Sequence, residues 1–277
     1  MNSLASLLVH VDASARTVIR LWLAHEVAAR CSGSQPCSVR ALYCTTPSFA
    51  DMPLAFGAGA SESVPFLQDL YARRASEARQ AFERANAHRT PPMHWLERGG
   101  DPVIPTFVQS ALYADLMVLG QHVPDEIESL NTPADFVASV LVTSGKPAIV
   151  VPAKGRFETL GHKVVLAWKP TPEAARAAAA ALPLLERAER IHLVSDTSCG
   201  NELEAWLGEH GVQSRIDRHV CVDSESAGER LLSLAADVDA DLLVMGCYGH
   251  SRARELLLGG ATRTVLRSMT LPVLLAH

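Results

Sequence analysis

This sequence lacks several features that would indicate a secreted, membrane-bound or nucleic-acid-binding protein. No stretch approaches the ~20 consecutive apolar residues that a membrane span requires. The formal net charge is −5 with no long run of either sign, whereas a nucleic-acid-binding surface usually needs a clustered basic face. The start, Met1 to Leu4, lacks the basic region of a signal peptide. We therefore expect a cytoplasmic protein with no membrane or nucleic-acid partner.

Patterns typical of metal sites, disulfides and phosphate-transferring enzymes are missing too. The six cysteines form no Cys-x-x-Cys pair, and the eleven histidines include no His-Glu-x-x-His segment. In a chain that is not exported, such cysteines are expected to be reduced and mostly buried. There is no Gly-x4-Gly-Lys-Ser/Thr loop and no evident carboxylate pair for magnesium. The sequence therefore predicts no metal ligand of its own, no catalytic residue and no robust catalysis.

An internal repeat determines the predicted architecture. The segment 114–120, Ala-Asp-Leu-Met-Val-Leu-Gly, recurs at 240–246 as Ala-Asp-Leu-Leu-Val-Met-Gly, and the apolar segment 146–151 has its counterpart at 271–276. Short apolar runs of this kind, without alternation, are typical of parallel strands that are buried on both faces. The 277 residues, 48% of them hydrophobic, are enough for two domains of ordinary size.

Strands and helices alternate along both halves of the chain. Strands are predicted in the first half at 5–12, 38–45, 93–97, 115–119 and 147–151, and in the second half at 162–168, 190–195, 214–221, 241–245 and 272–276. Apolar residues at helical spacing from Ile19 to Val27 predict a helix that Gly33 can cap, and the alanine-rich segment 173–188 predicts another.

This alternation predicts an α/β protein with two tandem Rossmann-like domains, each a five-stranded parallel sheet flanked by helices. The first domain would span residues 1–153 and the second residues 160–277, with a polar join near 152–156.

Glycines are concentrated between a strand and a helix in the second half. Gly246 directly follows Met245, the last residue of the predicted strand, and Gly249 comes three residues later. Because glycine has no Cβ, both would let the backbone approach a ligand closely. His250 and Arg252 follow in the same loop, where Arg252 could offset phosphate charge. Ligands of open α/β sheets sit beyond the carboxyl ends of the strands, which is where this loop is expected. The alternative is that these glycines only make turns.

The same loop leads into a predicted helix N-terminus. Gly259 and Gly260 precede a helix that we expect to begin at about Ala261, and Thr262 adds a hydroxyl at that end. Free N–H groups and the helix dipole favour phosphate oxygens at such a terminus.

The spacing Gly-x2-Gly-x9-Gly formed by Gly246, Gly249 and Gly259 resembles the ATP-binding signature of universal stress proteins. In that signature a Ser or Thr normally follows, whereas this chain has Gly260. The resemblance implies an adenine nucleotide alpha hydrolase-like fold and a stress-response or regulatory role. It also implies pairing of the two domains through their last strands, as a pseudo-dimer within one chain; a further homodimer stays open.

The two halves each carry part of the family pattern. The family usually has an aspartate at the end of the first strand: the first half has Asp12 there, whereas the second has Trp168. Val123 stands where the first half would need its second glycine. The first-half loop carries three carboxylates and no cation, namely Asp125, Glu126 and Glu128. The first half is therefore predicted to be a degenerate domain that does not bind ATP in the family's way, with Asp12 serving the strand-to-helix turn instead.

A nucleotide site is accordingly predicted in the second half. Its members would contact either the base or the phosphates: Ala167, Trp168, Val194, Met245, Gly246, Gly249, His250, Arg252, Gly259, Gly260, Ala261 and Thr262. ATP is the expected ligand, with ADP and AMP as alternatives and Mg²⁺ as a companion ion. Trp168 could stack on the base or fill its pocket. Two other functions stay open: a weak ATPase, and an interaction module for an unknown protein partner whose nucleotide sites have decayed.

Overall fold

The computed structural model describes residues 3–44, 60–99, 102–123, 132–195, 200–220, 226–247 and 260–277. Ten strands lie in these residues: β1 (Ser6–Val11), β2 (Ser38–Cys44), β3 (His94–Arg98), β4 (Leu116–Gly120), β5 (Ala148–Val151), β6 (Lys163–Ala167), β7 (Arg190–Ser195), β8 (Arg215–Val220), β9 (Leu242–Gly246) and β10 (Val273–Ala276). Eight described helices accompany them: α1 (Thr17–Cys31), α2 (Ala60–Asn86), α3 (Val103–Ala111), α4 (Phe136–Ser144), α5 (Pro172–Leu185), α6 (Gly200–Glu209), α7 (Ala227–Asp237) and α8 (Gly260–Ser268).

All ten strands form one sheet, in the order β3-β2-β1-β4-β5-β10-β9-β6-β7-β8. Within each half the neighbouring strands are parallel and follow the same order. The halves meet at β5 and β10, which pair antiparallel through Ile149 and Leu274. The predicted pairing of the two last strands is therefore confirmed. It leaves neither apolar strand as an open edge, which would invite aggregation.

Helices cover both faces of the sheet. One apolar cluster packs α1, α2, α5 and α6 against the strands, and a second packs α3, α4, α7 and α8 against the other face. Strands buried on both faces explain the continuous apolar runs in the sequence. The predicted doubly wound α/β class is confirmed, and every predicted strand is present with ends that differ by no more than one residue.

The ends of two predicted helices need correction. Helix α1 ends at Cys31 with Ser32 as its cap, so Gly33 is not the capping residue. The backbone N–H and the hydroxyl of Ser32 both donate to the carbonyl of Ala28, which satisfies that group without a left-handed glycine. Helix α5 ends at Leu185, three residues earlier than predicted.

The four described cysteines are free and buried, as expected: Cys31, Cys37, Cys44 and Cys247. Burial raises the pKa of the Cys31 thiol to about 11 and those of Cys37 and Cys44 to about 12. These thiols are therefore protonated and poorly nucleophilic at neutral pH. Within the described ranges, no helix is long and apolar enough to cross a membrane, and no group of three His, Cys, Asp or Glu side chains could hold a metal ion.

His10 makes the stability of the fold depend on pH. Its ring lies on β1 between Phe107 and Phe136, with centroid distances of 5.7 and 4.4 Å. Burial lowers the pKa of His10 from 6.5 to about 4; attraction by Asp12 opposes the change and repulsion by Arg20 adds to it. As pH falls, His10 gains a proton in the unfolded chain before it does so in the folded one. Its contribution to the free energy of unfolding is therefore complete above pH 6.5 and falls by about 3 kcal/mol towards pH 4.

Urea unfolding at several pH values between 7 and 4 tests this dependence. We expect His10→Leu to flatten the decline relative to the wild type, since leucine has no proton to gain. His94→Gln, an exposed histidine of β3, is the matched control and should keep the wild-type slope. Equal slopes in the wild type and His10→Leu would contradict the assignment. His192 also has a pKa lowered by burial, so the difference between the two proteins is the quantity to compare.

Candidate functional site

The carboxyl ends of β6, β7 and β9 bring three of the predicted site residues together. Ala167 is the register partner of both Val194 on β7 and Met245 on β9. Neighbouring strands lie about 4.8 Å apart, so the three residues form one short row on the face covered by α7 and α8. Val194 and Met245 are both 6% exposed. This row lies at the topological switch point of the second half, where β6 is flanked by β7 and β9.

Gly246 follows this row and packs against a helix. A Cβ at Gly246 would lie 2.5 Å from the backbone nitrogen of Ala174 and 2.7 Å from the carbonyl carbon of Glu173. These atoms belong to the first turn of α5, whose N-cap Thr171 accepts a hydrogen bond from the Ala174 N–H. The missing side chain therefore lets α5 begin directly over the end of β9. Close approach at Gly246 is to this helix, a use that the sequence did not reveal.

Trp168 lies on the other face of the sheet from the row of three. Its backbone N–H donates to the carbonyl of Val194 at 2.8 Å. Its half-buried ring packs against the cluster of α1, α2, α5 and α6, whereas Ala167 packs against the opposite cluster. Successive side chains of a strand point to opposite faces, which explains the separation. This placement favours the interpretation in which Trp168 fills space.

The N-terminus of α8 offers backbone groups more than side chains. Gly260 opens the helix and is exposed, and a Cβ there would meet no atom of the described residues within 4 Å. Ala261 is half-buried and Thr262 is only 4% exposed, so the threonine side chain is not presented at the surface. A Cβ at Gly228 on α7 would lie 2.7 Å from the carbonyl oxygen of Ala261, so α7 holds this turn closely.

Four predicted site residues lie outside the described residues: Gly249, His250, Arg252 and Gly259. Their roles stay predictions. Cys247 precedes these residues, and its backbone N–H is not available to a ligand, because it donates to the carbonyl of Ala276 at 2.9 Å. Phosphate contacts from this loop would therefore have to come from residues after Cys247.

In the first half, Asp12 is part of a buried ion pair. Its carboxylate Oδ1 accepts hydrogen bonds from the Arg20 Nη2 at 2.5 Å, the Ser14 hydroxyl at 2.6 Å and the Thr17 hydroxyl at 2.9 Å. Burial alone would raise the pKa of Asp12, but attraction by Arg20 and these hydrogen bonds outweigh it and lower the pKa to about 2. The prediction that Asp12 serves the strand-to-helix turn is confirmed.

The Arg20 guanidinium fills the crevice at the end of β1 and β4. Its Nε donates to the carbonyl of His10 at 2.9 Å, and a Cβ at Gly120 would overlap its Nη1. Arg20 thus occupies the space between Asp12 and Gly120, the first-half counterpart of the predicted second-half site. Arg20 was not among the residues predicted from the sequence. Its position three residues after Thr17 and four before Ala24, both buried, is the signal that could have placed it on the inner face of α1.

Gln121, which follows Gly120 in the first half, forms hydrogen bonds with the second half. Its amide donates to the carbonyls of Leu266 and Arg267, at 2.8 and 3.1 Å, near the end of α8. Its carbonyl oxygen accepts from the N–H of Ala153 at 2.7 Å. The segment that would carry the phosphate loop in a binding half is here part of the contact between the halves.

Two halves with one strand order, joined in a single sheet with helices on both faces, define a tandem doubly wound α/β protein. Residues 164–277 match the model of the universal stress protein family. This match covers the second half, which is therefore similar to the universal stress proteins. Among curated proteins, a universal stress protein from Synechocystis is 46% identical over 48 residues, a match that spans only 17% of this chain and 17% of the relative.

Solved structures show the same fold over nearly the whole chain. A universal stress protein from Archaeoglobus fulgidus aligns with a TM-score of 0.70 at 16% identity, covering 98% of this chain and 95% of that one. A putative universal stress protein from Pseudomonas aeruginosa aligns with a TM-score of 0.58 at 17% identity, covering 99% and 94%. At such identities the likeness concerns the fold.

Proposed function

We propose that this protein is a stress-response or regulatory protein that binds an adenine nucleotide in its second half, ATP before AMP, without robust catalysis. The observation that carries the proposal is the row of Ala167, Val194 and Met245 at the switch point. These apolar residues end their strands where open α/β sheets bind ligands, and the base would lie over the end of this row.

The phosphates are assigned to the N-terminus of α8. The helix begins at Gly260, its first turn has no acidic residue, and its free N–H groups and dipole favour anions. Arg252 and the backbone near Gly249 and Gly259 would complete the phosphate contacts, with Mg²⁺ as a companion ion.

A second candidate function is a protein-interaction module without nucleotide. Arg20 filling the first-half crevice favours it, as does the packing of the Trp168 ring on the face away from the proposed base site. Both features remove family contacts to a nucleotide, one in each half.

Gly260→Ser tests the nucleotide proposal by restoring the missing hydroxyl. A side chain at Gly260 clashes with none of the described residues, so the hydroxyl should reach phosphate and raise ATP affinity about tenfold, as one hydrogen bond to a charged group would. Gly260→Ala is the matched control, which adds the Cβ but no donor, and should bind as the wild type does. Titration calorimetry with ATP, with and without Mg²⁺, measures all three proteins.

The outcomes separate the candidate functions. No measurable binding by the wild type or Gly260→Ser at millimolar ATP would contradict the nucleotide proposal and support the interaction module. Adenine nucleotide released from the freshly purified protein would identify which nucleotide it retains. Steady release of ADP from bound ATP would instead indicate an ATPase.

A further inference from the structure

A groove separate from the nucleotide site lies where the two halves are joined. It is bordered by α1, by the C-terminal end of α2 and by residues 156–158, and its volume is about 450 Å³. Ligand pockets typically measure about 300–1,000 Å³, so the space suits a small molecule. We call it the junction groove. It lies beside helices of the first half, whereas the proposed nucleotide site lies over β6 and β9.

The floor of the junction groove is apolar and partly aromatic. Val18, Ile19 and Trp22 contribute one side of α1, because residues three and four apart share a helix face. Phe157 also lines the groove, from the joining segment. Val18 is 38% exposed, and the Ile19, Trp22 and Phe157 side chains are half-buried, so the floor is accessible to solvent.

Arg16 holds the joining segment in place. Its guanidinium donates to the carbonyls of Pro152 at 2.6 Å and Gly155 at 2.7 Å, and it lies 5.9 Å from the centroid of the Phe157 ring. These contacts tie the segment to the start of α1 and fix Phe157 before any ligand arrives. A preformed wall reduces the ordering cost of binding.

The rim of the junction groove is basic, although the protein as a whole is acidic. Three arginines line it, Arg84, Arg89 and Arg156, against one carboxylate, Glu158. Arg89 has a partial partner in Glu26 at 3.8 Å. Arg84 and Arg156 are exposed and form no ion pair within the described part of the chain. Guanidinium groups with free donors suit phosphate and carboxylate, which they can bind through two parallel hydrogen bonds.

We propose that the junction groove binds an amphiphilic organic anion. Its flat apolar body would lie on Trp22 and Phe157, and its phosphate or carboxylate would face Arg84 and Arg156. The apolar floor contributes burial and the rim selects the charge, so neither a neutral aromatic compound nor inorganic phosphate alone would bind well.

Titration calorimetry with 1-naphthyl phosphate on the full-length protein tests the proposal. We expect 1-naphthol and inorganic phosphate each to bind at least about tenfold more weakly, since each lacks half of the recognition. 1-Naphthoic acid distinguishes carboxylate from phosphate as the preferred head group. A wild type that does not bind 1-naphthyl phosphate at millimolar concentration, or that binds 1-naphthol equally well, would overturn the proposal.

Exposed arginines provide the variants. Arg84→Gln and Arg156→Gln should each weaken 1-naphthyl phosphate binding about two- to fivefold, the upper range for one exposed charge contact. Arg73→Gln is the matched control, because Arg73 lies on α2 outside the groove and its side chain is 69% exposed. Its affinity should equal that of the wild type. An equal loss in Arg73→Gln would overturn the proposal, as would displacement of the probe by ATP, which would assign it to the nucleotide site.

Discussion

Replacing Arg20 by methionine is expected to destabilise the fold by about 3–5 kcal/mol at neutral pH, the usual cost of removing one partner of a buried ion pair. Asp12 would keep its charge in a site that is 6% exposed, with only the Ser14 and Thr17 contacts left. Urea unfolding followed by circular dichroism measures the loss. Arg73→Met, which removes an exposed arginine of α2, should change stability by less than about 0.5 kcal/mol.

The pH dependence identifies the mechanism. In the wild type, the pKa of Asp12 is lowered from 3.8 to about 2, so its contribution is complete above pH 3.8 and lost as pH falls towards 2. In Arg20→Met, only the weaker effects of His10, Ser14 and Thr17 still oppose burial, which should then raise the pKa of Asp12 above 3.8. The deficit of the variant should then shrink as pH falls through that raised pKa. Adding Asp12→Asn should recover part of the stability at pH 7, and a deficit that is independent of pH would contradict the ion-pair explanation.

Gly246→Ala is expected to destabilise the second half by about 2–3 kcal/mol, near the upper end of the range for overpacking. Its Cβ would lie 2.5 Å from the backbone nitrogen of Ala174. Backbone of a packed helix cannot move aside as the end of a flexible side chain can, so α5 would have to shift off β9. Chemical unfolding of the purified variant measures the effect. Gly260→Ala adds the same methyl group at a position where, in the described part of the chain, no atom lies within 4 Å, and it should be nearly neutral.

Measuring Gly246→Ala with and without ATP also separates two explanations for a glycine at position 246. If Gly246 serves helix packing, stability falls in Gly246→Ala whether or not ATP is present. If its role were only approach to a phosphate, ATP affinity would fall and the unfolding midpoint without ATP would not change. The second result would contradict the packing role that we assign to Gly246.

The repeat and the apolar runs were enough to predict the fold. Segments 114–120 and 240–246 carry the strands β4 and β9, and each predicted strand lies within one residue of its observed place. The pairing of β5 with β10, implied by the family resemblance, is also present. Local patterns suffice here because parallel strands buried on both faces need a continuous apolar run, which few other elements use.

Three site features could not be predicted, because each depends on how different helices and strands pack against one another. The sequence determined that Arg20 is on a helix, but only the fold places its guanidinium between Asp12, eight residues before it, and Gly120, 100 residues after it. It determined that Gly246 ends a strand, but only tertiary packing sets α5 over that end. It determined that Trp168 stands at the end of the strand β6, whereas the face that its ring occupies follows from the packing of Trp168 and Ala167 on opposite clusters. Periodicity along the chain fixes the elements, and the close approach of different elements decides what each crevice contains.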